Sequence, residues 1–272
     1  MKVVHDIGGR VYFYSPFRHE EVPSFTVSRR KNTFKDWGKD NTDPTSHGSI
    51  IDLVMALENK TFKDAIATIA HDYTIEMPPK FEVFEEKNEL PGILVVDECK
   101  IKNKGLIEYI RGRNIDVDLC SLYCKELNVR FPYSKTNPDK LHRLIGFPND
   151  SGGYEVRNDY LKLSTRPKHI STIAGAINDE WMVFEGFFDF LSALQWYEVE
   201  RLDRTAVVLN TLSFMGGLHA FMAENKMNWM YLDNDTAGQN AIGKMEVYGI
   251  PFTDCKWVYD GYKDFNDMWV RQ

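Results

Sequence analysis

From Trp181 to Val270 short strand-like runs alternate with longer amphipathic ones: "WMVFE", "FFDFLSALQWYE", "TAVVLN", "GLHAFMAENK", "WMYLD", "AGQNAIGKMEVYG", "CKWVYD" and "FNDMWV". Four βα repeats in a row imply a parallel sheet covered by helices on both faces. In such a sheet ligands bind at the carboxyl ends of the strands, and the acidic residues fall there. Glu185 closes the first strand, Gly186 makes the turn, and Asp189 stands on the helix that follows. Asp233 closes the third strand. Asp235 lies two residues on, so in extended chain both carboxylates point the same way while Asn234 turns aside. The last turn, "KDFND", supplies Asp264 and Asp267.

Carboxylates crowded into one crevice repel one another and, unpaired, take up protons. A hard divalent cation removes the conflict, and Mg²⁺ commonly uses one or two carboxylates with water and phosphate oxygens around it. Helix N-termini after Gly186 and at Thr236 suit an anion. Carboxylates, a divalent ion and phosphate together describe phosphoryl or nucleotidyl transfer. Helix capping accounts for any one of these acids, but not for a carboxylate at three strand ends.

The charge pattern fits a polyanion beside its counter-ions. The net charge is −7. From Lys125 to Lys168 nine Lys/Arg face five Asp/Glu, whereas Ile170–Gln272 has seven against fifteen. A basic middle ahead of an acidic end can hold a nucleic acid and metal side by side. Of the four cysteines, Cys120 and Cys124 are spaced for one helix face and no second pair answers them. Structural thiols in a reducing cytoplasm are expected. No apolar run approaches the roughly 20 residues needed to span a bilayer, and "MKVVHDIGGR" lacks a signal peptide's apolar core.

Upstream, residues 10–40 read as short strands, "RVYFYS", "SFTVS" and "NTFKDW", between Pro and Gly turns. Two helices follow, the first capped by Ser49 and the second opened by Thr61. The Pro-containing stretch "EMPPKFEVFEEKNELP" reads as a linker. Residues 101–127 carry a helical pattern, and 128–170 read as strands with turns at "TNPDK" and "NDSGG".

The motifs "VFEGFFDFLSAL" and "MYLDNDTAGQNA" resemble the first two motifs of the Toprim domain of topoisomerases, bacterial primases and certain nucleases. "HRLIGFPNDSGGYEVRN…YLKLSTRPKHIS" is similar to the basic subdomain of DnaG-type primases, and "SPFRHEEVPSFTVS" with "HGSIIDLVMAL" resembles their zinc-binding domain. The resemblance implies an α+β ribbon-like domain over 1–75, a linker over 76–98, and a mixed α/β primase core. That core comprises a basic subdomain over 99–172 and a Toprim subdomain over 173–272. It further implies primer synthesis from ribonucleoside triphosphates on single-stranded DNA, in a primase of the small kind carried by mobile elements or phages. Glu185, Asp233 and Asp235 would be catalytic, and Mg²⁺ or Mn²⁺ would be held by these with Asp189, Asp264 and Asp267. Asn266 stands where the family's third motif usually has a second Asp, with Asp267 as its expected substitute. Arg130, Arg143, Arg157, Lys162 and Lys168 would meet template or nucleotide phosphates, with aromatic residues such as Phe131 and Tyr154 interleaved for stacking. Helicase recruitment would need another chain or surface. The alternatives are a Toprim nuclease and a non-catalytic single-strand-binding module.

One departure is sharp. Ser15, Arg18, Asp36 and Lys39 occupy the four ligand positions of the primase zinc ribbon, and a structural zinc wants Cys or His there. The expectation is a ribbon without zinc. In it Arg18 or Lys39 pairs with Asp36, and Phe13, Phe17, Phe25, Val27, Phe34 and Trp37, backed by Ile50, Ile51 and Val54, supply the core.

Overall fold

The structure is a computed structural model that describes residues 3–7, 10–28, 31–72, 92–134 and 137–272. The chain divides into two compact units, Met1–Pro79 and Lys80–Gln272.

In the first unit five strands form an antiparallel meander: β1 (His5–Ile7), β2 (Arg10–Phe13), β3 (Phe25–Ser28), β4 (Thr33–Asp36) and β5 (His47–Ser49). Their period-2 pattern buries Phe25 and Phe34, whose rings stack 5.4 Å apart, against Leu53. Leu53 comes from α1 (Ile50–Glu58). Ser49 starts that helix with a capping box, its hydroxyl accepting from Asp52 N while Asp52 accepts from Ser49 N. Helix α2 (Phe62–Asp72) follows. Of the expected core residues, Ile51 and Val54 are only half-buried and stand outside this apolar cluster, and two others are exposed. Trp37 is 58% exposed and Ile50 is exposed as well. Trp37 sits one residue beyond β4, on the face opposite Phe34. There its indole donates to Thr26 Oγ1 at 3.1 Å and lies under the Lys35 ammonium.

The expected linker over 76–98 is shorter at its end. Residues 73–91 lie outside the described set, but β6 (Leu94–Cys99) is already a strand. It pairs with β7 (Lys125–Arg130) after α3 (Lys104–Gly112) and α4 (Val117–Tyr123). β8 (His142–Pro148), β9 (Tyr154–Arg157) and β10 (Lys162–Ser164) complete an antiparallel sheet in the order β10-β9-β8-β7-β6. The β8–β9 turn is the "NDSGG" segment, with Gly152 at φ 84° and Asn149 Oδ1 accepting from Ser151 N and Gly153 N.

The second sheet of this unit has the order β11-β13-β12-β14-β15. Its strands are β11 (Ser171–Ile173), β12 (Ile177–Phe184), β13 (Arg204–Val208), β14 (Met227–Tyr231) and β15 (Phe252–Asp254). All pair in parallel except the edge strand β11, whose start lies before the boundary expected at residue 173. α5 (Phe187–Trp196), α6 (Met215–Glu224), α7 (Thr236–Tyr248) and α8 (Phe265–Val270) follow successive strands. The expected strand "CKWVYD" is instead a 3-10 turn over Lys256–Tyr259. Tyr259 is buried there and donates its hydroxyl to Leu232 O at 2.8 Å, so the aromatic run is anchored as a turn while the preceding "FTD" extends the sheet. One core joins both sheets, with Phe147 of β8 stacked 5.1 Å from Phe187 of α5. Among the described residues no helix is long and apolar enough to cross a membrane.

Candidate active site

Strand β12 lies between β13 and β14, so the chain reverses its direction of travel across the sheet here and leaves a crevice at the strand ends. Glu185 and Asp233 leave adjacent parallel strands, and Glu185 Oε2 accepts from Asp233 N at 3.2 Å. Asp235 caps α7, its Oδ1 accepting from Ala237 N and Gly238 N at 2.9 Å each. Gly238 is required for this close packing: a Cβ there would lie 2.2 Å from Asp233 O. Asp264 caps α8 through Asp267 N at 2.7 Å. Asp189, on the first turn of α5, is 7% exposed and accepts from Asn266 N at 3.1 Å.

The electrostatics are those of a cluster short of positive charge. Burial first, then the neighbouring Asp233, pushes the Glu185 carboxyl above its usual value. Burial raises Asp233 as well, against the opposing pull of Lys263. Asp189 is driven well up by burial and by the charges of Asp264 and Asp233. One amine enters the cluster: Lys263 Nζ lies 2.6 Å from Asp233 Oδ2 and 3.0 Å from Asp264 Oδ2.

A cavity of about 400 Å³ brings Glu185, Asp189, Asp233 and Asp264 together with Arg157 and Lys162. Asp235, Asp267, Arg130, Arg143 and Lys168 do not line it. Asp267 is directed elsewhere, accepting from Lys263 N at 3.2 Å and pairing with Arg271 at 2.9 Å. Arg143 lies 3.7 Å from Glu126 and Arg130 4.0 Å from Asp139, while Lys168 is exposed. Arg157 differs from the solvent-facing cation expected of a phosphate contact. It is 8% exposed, 3.3 Å from Glu155, bonded to Val156 O and Leu163 O, and stacked over Phe187. Glu155 and Arg157 sit two apart on one strand and so share a face, which makes them an internal pair.

Asn266 is buried and spans three elements. It accepts from Arg113 Nη1 at 3.1 Å and donates to Arg113 O and Ser192 Oγ, both at 3.0 Å. Together with its backbone bond to Asp189 this makes it a brace for the crevice floor. Lys263, Arg113, Tyr109 and Asn210 also line the cavity and were not singled out from the sequence. Lys263 had a signal, since it directly precedes Asp264 in a motif crowded with acids; Arg113 had none.

A hard divalent cation fits this donor set in kind: carboxylate oxygens that burial, and then mutual repulsion, push toward their protonated form. No three His, Cys, Asp or Glu among the described residues converge on a single ion; Mg²⁺ commonly takes one or two carboxylates, with water and phosphate oxygens around it.

The ribbon positions do not fit zinc. Ser15 Oγ donates to Asp36 Oδ2 at 2.5 Å, and Arg18 Nη2 reaches Asp36 Oδ1 at 2.8 Å and Glu20 Oε2 at 2.6 Å. Lys39 turns away to Asp43 at 3.1 Å. Burial pushes Asp36 up, but hydrogen bonds from Arg18, Ser15 and Gly38 outweigh it and hold the carboxyl below its usual value. A depressed carboxyl stabilises the fold above its unfolded value of about 3.9, and that contribution is lost as pH falls through the folded value below it. Arg18→Ala is expected to cost about 1–3 kcal/mol at pH 7, the penalty for a buried charged group left short of a partner. The loss should shrink in urea melts as pH falls through the depressed folded value of Asp36, where its carboxyl takes up a proton.

Three family models match the chain: the CHC2 zinc finger of DnaG-type proteins over residues 7–85, a domain of unknown function (DUF8464) over 95–166, and a Toprim-like domain over 182–269. The CHC2-matched segment contains no cysteine. The DNA primase of Rickettsia bellii (strain RML369-C) is 29% identical over 107 residues, 37% of this chain and 17% of that protein. The DNA primase of Buchnera aphidicola subsp. Acyrthosiphon pisum (strain APS) is 21% identical over 300 residues, 89% of this chain and 50% of that protein. The chain thus spans at most about half the length of these two relatives. The zinc-binding and RNA polymerase domains of Aquifex aeolicus primase align over 90% of this chain and 70% of that one, with 18% identity and a TM-score of 0.36. The chain thus resembles DnaG-type primases in having a CHC2-type segment followed by a Toprim-like domain, with DNA primases as its curated relatives.

Proposed function

We propose that the chain is the catalytic part of a primase that joins ribonucleoside triphosphates on a single-stranded DNA template. The observation that carries this reading is one cavity in which Glu185, Asp189, Asp233 and Asp264 face the exposed cations Arg113 and Lys162. Carboxylates for a metal and cations for phosphates are both required by nucleotidyl transfer. In this reading Glu185 and Asp233, with Asp235 near by, would hold Mg²⁺ or Mn²⁺, which would supply Lewis-acid activation of the primer 3′-hydroxyl and offset the charge of the triphosphate. The 3′-oxygen bonds to the α-phosphorus, the bond to pyrophosphate breaks, and Glu185 accepts the hydroxyl proton. Asp189 and Asn266 keep the crevice floor in place. Asp264 and Asp267 hold the start of α8, and Arg157 shapes the wall from within.

The ribbon over residues 1–75 is proposed to be zinc-free and the remainder to be a basic subdomain followed by the Toprim subdomain. The setting is proposed to be the cytoplasm, with any helicase engaged through another chain or surface. Incubation with single-stranded template, labelled ribonucleotides and Mg²⁺ or Mn²⁺ tests the function. New oligomers support it, a shortened template points to a nuclease, and retention without chemistry points to a binding module.

Lys162 is an exposed cation at the cavity wall that no carboxylate of the crevice engages in the ion pairs described above. Lys162→Ala is expected to weaken binding of single strands of every sequence and to flatten the log–log salt dependence by about 0.7, the value for one lost phosphate contact. An unchanged slope would place Lys162 outside the nucleic-acid path.

A further inference from the structure

The carboxylates of the crevice are not equally available to an ion. Asp264 uses Oδ1 on Asp267 N and Oδ2 on the Lys263 ammonium, so both its oxygens are engaged. Asp189 is buried, with Oδ1 on Asn266 N. Asp233 gives Oδ2 to Lys263. Glu185 meets only the Asp233 amide in this cluster, and Asp235 serves both its capping bonds with one oxygen.

Lys263 is held at this place by the chain. Its backbone N–H is fixed on Asp267 Oδ2, and Asn234 N donates to its carbonyl at 2.7 Å. It is thereby tied both to the start of α8 and to the loop that carries Asp233 and Asp235. Its side chain is 61% exposed yet spans Asp233 and Asp264 rather than extending into water.

We propose that Lys263 is the crevice's built-in cation: its ammonium occupies the bridge between Asp233 and Asp264 that a second divalent ion would use, so the crevice takes up one ion, at Glu185 and Asp233. The proposal rests on the reading of the crevice as a divalent-metal site. It makes Lys263 a positioning residue, one that directs the ion toward Glu185, the group proposed to take the proton.

The test is a Mn²⁺ titration of the full chain without nucleotide, following free Mn²⁺ by electron paramagnetic resonance. The wild type is expected to bind one ion, Lys263→Arg one ion, and Lys263→Met two. The first ion should bind Lys263→Met at least tenfold more tightly, because a repelling charge has gone. Melting in EDTA should show Lys263→Met less stable than wild type, with Mn²⁺ closing the gap. Two ions on the wild type would overturn the proposal whether or not the variant folds. So would a Lys263→Met protein with unchanged stoichiometry and affinity. One ion on the wild type and two on Lys263→Met, with no oligomers made from ribonucleotides, would leave the proposal standing and remove the primase reading. No Mn²⁺ on either protein would overturn the metal site and the proposal together.

Discussion

Glu185→Gln and Asp233→Asn are each expected to reduce primer synthesis by about 10²–10⁴-fold, the range for a lost acid–base group, while the metal-free protein melts no lower than wild type. The sign follows from the two carboxyls. Both are held above their usual values, first by burial and then, for Glu185, by the charge of Asp233. A carboxyl whose folded value is raised destabilises the fold when ionised, and that cost appears as pH rises through the folded value. A neutral amide of the same shape removes the cost at pH 7. Gln at 185 can still accept from Asp233 N. Asn at 233 forgoes the pair with Lys263, whose exposed ammonium limits that pair to about 0–1 kcal/mol. Labelled-oligomer gels and melting curves in EDTA measure the two halves. Catalytic loss joined to a lower melting temperature would assign these residues to the scaffold instead.

The position of these carboxylates was legible because two regularities coincide. The βα rhythm locates strand ends, and an acid at a strand end beside a switch in strand order falls into the crevice. Glu185 and Asp233 satisfy both conditions. Asp235, Asp264 and Asp267 carry an ambiguity that sequence does not resolve, since each is a helix N-terminal acid as well as a neighbour of the site. The structure uses all three in the hydrogen bonding of helix starts. Arg113 was out of reach for a different reason. It stands 153 residues before Asn266, and only the packing of α3 against α5 and α8 brings it over Phe188 and onto that amide. Arg157 differs from the solvent-facing phosphate contact that the resemblance implies, and the reason lies in its strand's position. β9 runs between β8 and β10 with α5 against its face, and the guanidinium is taken inward by Glu155, two carbonyls and an aromatic ring. The final strand was misplaced because "KWVY" has the composition of a strand, whereas the burial of Tyr259 decides for a turn.

In the ribbon, Phe25→Ala is expected to cost about 3–5 kcal/mol, the range for deleting a buried aromatic, and Trp37→Ala less than about 1 kcal/mol. Both residues flank the Ser15–Arg18–Asp36 constellation, and both belong to the aromatic run that the sequence offers as a core. Strand alternation separates them. Phe25 pairs with Asp36 across β3 and β4 and points inward, fully buried between Phe17 and Phe34. Trp37 follows Asp36 and so points outward, where it covers Thr26 and supports Lys35. The contrast bears on how a ribbon keeps its shape without metal ligands. Asp36 is 0% exposed with Ser15, Arg18 and Gly38 as its donors, and hydrogen-bonding such a group prevents a penalty rather than supplying a net gain. The driving force must come from apolar burial, which here means Phe25, Phe34 and Leu53 with Phe13, Phe17 and Val27 against them. Chemical denaturation of the two variants measures the contrast. A Phe25→Ala protein as stable as wild type would remove the apolar core as the replacement for zinc. One equivalent of zinc per chain by elemental analysis would show that the metal was never replaced.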